Sequence, residues 1–173
     1  AEHDNNPPGF PYIVKHHWHE QIEIIYLEQD SYQVDINMTV THVKSPCFCF
    51  INSGELHALS SDSEKYLEQA VVFSADMLAF SVPDPVQEEF LLPLSEQKLS
   101  FTSFLGYEHP AFNEVQQEFL KIRSTFRKEN RICMDQLTIE NPVSQLRIKA
   151  ALLNILAILS EHGLLTSNEP AHN

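Results

Sequence analysis

His17-Trp18-His19 followed by Glu23, and further along Asn52-Ser53-Gly54-Glu55-Leu56-His57, carry the most concentrated coordination chemistry in the chain. Side chains alternate faces along a β-strand, so the odd-numbered His17, His19 and Glu23 can point the same way. A second strand that brings His57 beside them completes three imidazoles and one carboxylate, a set suited to zinc, iron, nickel or manganese. The same wall can instead hydrogen-bond a polar organic ligand, which leaves a metalloenzyme and a sensor both open. A metal would need neutral imidazoles and an ionised carboxylate, so its affinity would fall in mild acid.

The neighbours of this cluster divide between ligand contact and ordinary structure. Lys15 shares the parity of His17 and is placed to meet an anionic ligand, while Phe10 and Tyr12 are candidate lids over the pocket. Trp18 faces outward in a regular strand and is expected to pack under a neighbouring element. Asn52 and Glu55 flank a turn, and turn formation is explanation enough for both.

A chain of 173 residues fits one domain, or one domain with a helical appendage, and buries a substantial core. Acidic residues number 24 against 11 basic ones, giving a net charge of -13. Phosphate backbones are bound by clustered Lys and Arg, so the chain itself is a poor nucleic-acid binder. Cys47, Cys49 and Cys133 show no disulfide framework spacing, and no leader-like segment precedes the fold, which points to a reducing cytoplasm and buried free thiols. No apolar run is read as approaching the ~20 residues that span a bilayer, so no membrane partner is expected.

The elements that must position these residues follow from the hydrophobic period. Residues 1 to 11 hold Pro7, Pro8, Gly9 and Pro11 and form a breaker-rich arm. From Ile13 to Phe73 short β-type runs recur: 21–28, 32–36, 39–43, 46–51, 56–59 and 66–73. This spacing belongs to a sandwich or barrel. A short helical turn is expected over 76–80 and a further strand over 98–104. After Gly106 the period changes to about 3.6, and Phe112, Val115, Phe119, Ile122 and Phe126 form one helical stripe. Asn141-Pro142 caps a second helix running through Ser160 to a stop at His162-Gly163. Its apolar residues, Leu146 through Leu159, cover more than one face and need two surfaces. Either both lie within the chain or one belongs to a second copy. The tail from Thr166 reads as a frayed end.

His-x-His-x3-Glu and Asn-x-Gly-x2-His within an all-β segment resemble the two paired motifs of the cupin superfamily, over about residues 10 to 105. The turns depart from that pattern: Pro11, Asp30 and Pro46 stand where the family has glycines, and Asn52 stands where it has proline. With the helices included, the run from His16 to Leu27, Phe73-Ser74-Ala75-Asp76-Met77-Leu78 and the segment from Leu146 to Leu165 are similar to the effector-sensing domain of AraC-type bacterial transcription regulators.

That resemblance implies a mainly β fold with C-terminal α: a cupin-like double-stranded β-barrel (jelly roll) over 1–105, arm included, then an antiparallel helix pair over 106–173. It implies a homodimer formed through the helices, with Leu152, Leu156 and Leu159 at the interface. A small polar effector, often a sugar, is implied inside the barrel, met by His17, His19, Glu23, His57, Lys15 and Phe10. Transcription would then be controlled through a helix-turn-helix DNA-binding domain absent from this chain, which is not itself an enzyme. No cofactor is required, and a divalent zinc, iron, manganese or nickel ion at His17, His19, Glu23 and His57 is an optional occupant. The competing expectation is a metal-dependent cupin enzyme, a dioxygenase or isomerase; the doubly apolar last helix favours the sensor.

Overall fold

The computed structural model describes residues 12–61, 67–128 and 139–168. Short runs of alternating polarity form β1 (Tyr12–His17), β2 (Ile22–Gln29), β3 (Ser31–Ile36), β4 (Thr39–Lys44), β5 (Cys47–Ile51), β6 (His57–Ser61) and β7 (Leu67–Phe73). Asn37 and Met38, at φ 51° and 66°, supply the paired positive φ that a two-residue hairpin link between β3 and β4 requires. Farther along come a 3-10 turn (Ala75–Leu78), a helical turn α1 (Leu92–Ser95), β8 (Leu99–Phe101) and β9 (Phe104–Gly106). The helices α2 (Phe112–Lys128) and α3 (Pro142–Glu161) follow, then β10 (Leu165–Ser167).

Two antiparallel sheets, β1-β6-β3-β4 and β7-β2-β5-β9, face each other. β2 pairs with β7 and β3 with β6, while β2 and β3 lie in opposite sheets, the nested wiring of a jelly roll. The cupin-like sandwich expected from the motifs is therefore present, and a helix pair follows it.

β2 determines how the layers stack. Its Ile25 and Leu27 join Val34, Cys49, Ile51 and Leu59 between the sheets, while Ile22, Ile24 and Tyr26 face the helices. A strand covered on both sides reads as a nearly unbroken apolar run, and Glu23 is the one carboxylate from Ile22 to Leu27. The helical layer is seated by an aromatic cluster. The Tyr26 and Phe48 rings stack at 4.6 Å, and the Phe112 and Phe119 rings each lie 5.4 Å from Phe48. Such pairs are worth about 0.5–1.5 kcal/mol each beyond their area. Gln116 Nε2 donates to the Tyr26 hydroxyl at 2.6 Å, so the buried ring also has a polar partner.

α3 starts where the sequence indicates: the Asn141 side chain accepts from the Val143 and Ser144 N–H groups, and Pro142 occupies the first turn. Gly163, at φ 66°, takes the left-handed position that ends the helix. Glu114 near the start of α2 meets His162 just past the end of α3, and Asn154 donates to Glu118, so the two helices run antiparallel.

Several expectations are corrected. Among the described residues α3 alone is long and apolar enough to cross a membrane, contrary to the reading of its apolar run, but Ile148, Ala151, Leu152, Ile155, Leu156 and Leu159 are buried in the chain's own core. Leu152, Leu156 and Leu159, expected at a dimer interface, are only 2%, 5% and 1% exposed, because they fill the layer between α2 and the sheet. The strand expected over 98–104 is two strands with different partners, β8 with β10 and β9 with β5. Of the tail expected to fray, Thr166 and Ser167 belong to β10, and residues 169–173 lie outside the described residues. Trp18 is 64% exposed rather than packed under a neighbour. Phe10 and the arm lie outside the described residues.

Because they sit in the core, Leu152→Asp and Leu156→Asp are expected to unfold the chain, at about 3–5 kcal/mol each, and not to separate folded protomers. Urea melts followed by circular dichroism, with sedimentation of the native fraction, check this.

Candidate metal centre

The site forms at one end of the space between the sheets. His17 ends β1 and is the register partner of His57, which opens β6. Three steps along β1 from Val14 to His17 oppose two along β6 from Leu59 to His57, so a β-bulge lies between them. The extra residue turns the odd-numbered His17 to the face of the even-numbered Val14, which packs on the inter-sheet core. Beyond β1, residues 18–21 cross to the other sheet and carry His19. The Gly54 N–H donates to the His19 carbonyl at 2.9 Å and pins this crossing to the second motif. Gly54 sits at φ 78°, a conformation that glycine adopts without strain. Glu23 then points inward from β2, one step ahead of Ile25 and Leu27 on the same face.

Four ligand atoms, one each from His17, His19, Glu23 and His57, lie within 4.8 Å of one another. His57 Nε2 is 3.1 Å and His19 Nε2 3.3 Å from Glu23 Oε2. The His17 and His57 ring centroids are 4.2 Å apart. Ligands bound to one ion at about 2.0–2.2 Å stand roughly 3.0–3.5 Å from their nearest neighbours, so this spacing fits a metal. His57 is buried, Glu23 and His19 are nearly so, and His17 is exposed. The cluster thus opens toward solvent at His17 and closes toward the core at His57.

Each imidazole has its tautomer set by the main chain. Nδ1–H of His17 donates to the Lys15 carbonyl, that of His19 to Gln21, and that of His57 to Glu55, all at 2.9 Å. A carbonyl only accepts, so the proton resides on Nδ1 and the neutral ring presents a lone pair at Nε2. Such outer hydrogen bonds orient metal-binding histidines. Lone pairs at Nε2 cannot hydrogen-bond the Glu23 carboxylate without a cation between them. That cation is a proton, which makes imidazolium, or a metal ion.

The protonation equilibria reflect this. Burial alone would raise the Glu23 carboxyl, but hydrogen bonds from His19 and His57 and the charges of both rings outweigh it and hold the group down at about 2. The hydrogen bond to Glu23 raises His19 above its ordinary 6.5, against desolvation, which lowers it. Burial pushes the Cys47 thiol up to about 11 and the Cys49 thiol well above its usual range, so both remain neutral packing groups.

The structure therefore brings together the four predicted ligands and sorts the rest. Lys15 is exposed and borders an outer cleft with Ile13, His16, Gln33 and Asp35; it serves the cluster through its carbonyl. The bulge explains why parity misplaced it. Phe10 lies outside the described residues. The middle of the sandwich is filled by Leu27, Cys49 and Ile51, each 0% exposed, so the expected interior wall is a mouth over a packed core. Sequence reasoning assigned Asn52 to turn formation alone, whereas its amide also binds both backbone groups of Phe101; the asparagine in the proline position of the motif was the available signal.

No protein-family model matches the sequence, and no match is found among curated proteins. Among solved structures, ToxT from Vibrio cholerae is similar over 95% of this chain and 57% of its own, at 8% identity and a TM-score of 0.46. A mutant of oxalate decarboxylase from Bacillus subtilis is similar over 37% of this chain and 19% of its own, at 25% identity and a TM-score of 0.33. The chain thus spans less than two thirds of either protein, and the description of the site rests on its own geometry.

In the metal-free protein the depressed carboxyl of Glu23 contributes stability that is complete above about 4.5 and lost as pH falls toward about 2. The raised His19 contributes stability that is present below 6.5 and lost as pH rises through its folded value. Stability in chelator is therefore expected to peak between these limits, with Glu23→Gln flattening both flanks. Urea denaturation from pH 3 to 8 measures it.

Proposed function

We propose that this chain is the effector-sensing domain of an AraC-type transcription regulator, in which a divalent metal held by His17, His19, Glu23 and His57 is the receptor for a small polar effector. The observation that carries the reading is the set of three backbone-fixed Nδ1–H groups, which leaves three Nε2 lone pairs and one carboxylate facing a common point. Such a metal supplies a fixed positive charge to which oxygen ligands add. His57 and Glu23 would anchor it from the buried side, while the exposed His17 leaves a side open to an incoming hydroxyl or carboxylate. The packed sandwich beneath Glu23 favours a ligand at the mouth over a sugar enclosed in the barrel. DNA contact belongs, in this reading, to a helix-turn-helix domain of the full-length regulator, consistent with the excess of acidic residues here.

The helix pair supports a homodimer on a face other than the one expected. Val143, Leu146, Ala150, Leu153 and Ala157 recur at three- and four-residue steps along α3, and Val143 and Leu146 are 60% and 68% exposed. That period is the seam of a coiled coil. The e-type positions of the same helix hold Arg147 toward one end and Glu161 toward the other, a distribution that an antiparallel pair would match.

Titration calorimetry on chelated protein is expected to show one equivalent of zinc or manganese bound, with His57→Ala weakening binding by about 100-fold or more. A thermal-shift screen of sugars and other small polar metabolites on the metal-loaded protein then seeks an effector by the stabilisation it confers. Turnover of a small substrate by the metal-loaded protein would overturn the sensor in favour of a dioxygenase or isomerase. Leu146→Glu combined with Leu153→Glu is expected to give folded monomers in sedimentation.

A further inference from the structure

Asn52 joins the candidate metal centre to the point where the chain leaves the second long helix. Its Oδ1 accepts from the Phe101 N–H at 2.7 Å and its Nδ2 donates to the Phe101 carbonyl at 3.1 Å, so one side-chain amide takes the place of a neighbouring strand for that residue of β8. Asn52 also begins the turn that Gly54 pins to the carbonyl of His19 and that leads into His57. Two metal ligands therefore bracket this turn.

On its other side β8 holds β10, and β10 has no other strand partner among the described residues. The Thr102 N–H donates to the Leu164 carbonyl at 2.9 Å and the Asn168 N–H to the Lys98 carbonyl at 2.7 Å. Side chains close the connection into a ring: Ser100 Oγ–H donates to Asn168 Oδ1, Asn168 Nδ2 to the Gln97 carbonyl, and Gln97 Nε2 to Ser53 Oγ in the turn itself. A cleft of about 210 Å³ lies within this ring. A two-stranded ribbon of three-residue strands is marginal on its own, so β10 depends for its place on β8 and on Leu165, which packs against the helix-facing core.

We propose that occupation of the metal centre controls whether β10 is docked. An ion bound by His19 and His57 holds the turn from both ends; Asn52 passes that order to Phe101, β8 receives β10, and the direction of the chain after α3 is set. This rests on the metal-binding reading above and assigns Asn52 as its positioning residue. Any coupling between the ion and the docked strand is reciprocal: what binding does for docking, docking does for affinity.

Hydrogen exchange by NMR on the whole chain, with zinc as the probe, tests this. Saturating zinc is expected to raise protection of the Thr102 and Asn168 amides about fivefold or more and to leave the remote Ser45 amide unchanged. Asn52→Ala is expected to retain zinc and lose that rise. Because Asn52→Ala also removes hydrogen bonds the fold uses, the reciprocal arm employs Ser100→Ala with Asn168→Ala, away from the ligands, which loosens the docked strand, so that zinc affinity should fall by up to the same factor. Zinc bound with protection unchanged, or affinity unchanged in the double variant, overturns the coupling while leaving the metal site standing. No zinc bound by the unmodified chain overturns both.

Discussion

A carboxylate placed on the inner face of a strand covered on both sides governs this molecule. Glu23 sits on β2, which is packed by a second sheet on one side and by helices on the other, where an unpaired charge would cost several kcal/mol. Its neighbours answer that cost. His19 and His57 aim Nε2 at the same carboxylate oxygen, and main-chain carbonyls have already claimed their Nδ1 protons. A positive species at the centre is thus required for the arrangement to be favourable, and the protein accommodates either protons on the rings or a metal ion among them. β1, the 18–21 crossing and the second-motif turn together bring three rings to that one group.

The fold was legible wherever one face of an element decides its position. Ends of β2 through β7 fall within a residue or two of the periodic runs, and α3 begins at Asn141-Pro142 because a cap and a first-turn proline are local signals. Non-local terms were harder to read. β10 has no pattern of its own and exists because β8 offers it a partner. Leu152, Leu156 and Leu159 look like spare apolar surface in a sequence, since the residues that cover them come from α2 and a distant sheet. The amide of Asn52 reads as a turn former until Phe101, far away in sequence, is placed beside it.

The ligand set was legible as residue types and spacing, although the route to it differed. Simple alternation groups Lys15 with His17, whereas the bulge in β1 separates them and pairs His17 with the inward-facing Val14. Period-two reasoning succeeds on either side of that point and fails across it. The filled middle of the sandwich was equally hidden, because Cys49 and Ile51 are compatible with lining a cavity and with eliminating one.

The bulge also bears on how such a domain could keep its chemistry over generations. Strand β1 contributes His17 to the centre past one supernumerary residue, while its pairing with β6 at Tyr12, Ile13 and Val14 does not depend on that residue. A one-codon deletion between Val14 and His17 would absorb the bulge and still leave the imidazole opposite His57 on the face of Val14, because a two-residue step along a strand keeps to one face. The centre in this architecture therefore survives loss of the supernumerary residue, so lineages sharing the ligand set need not share the bulge.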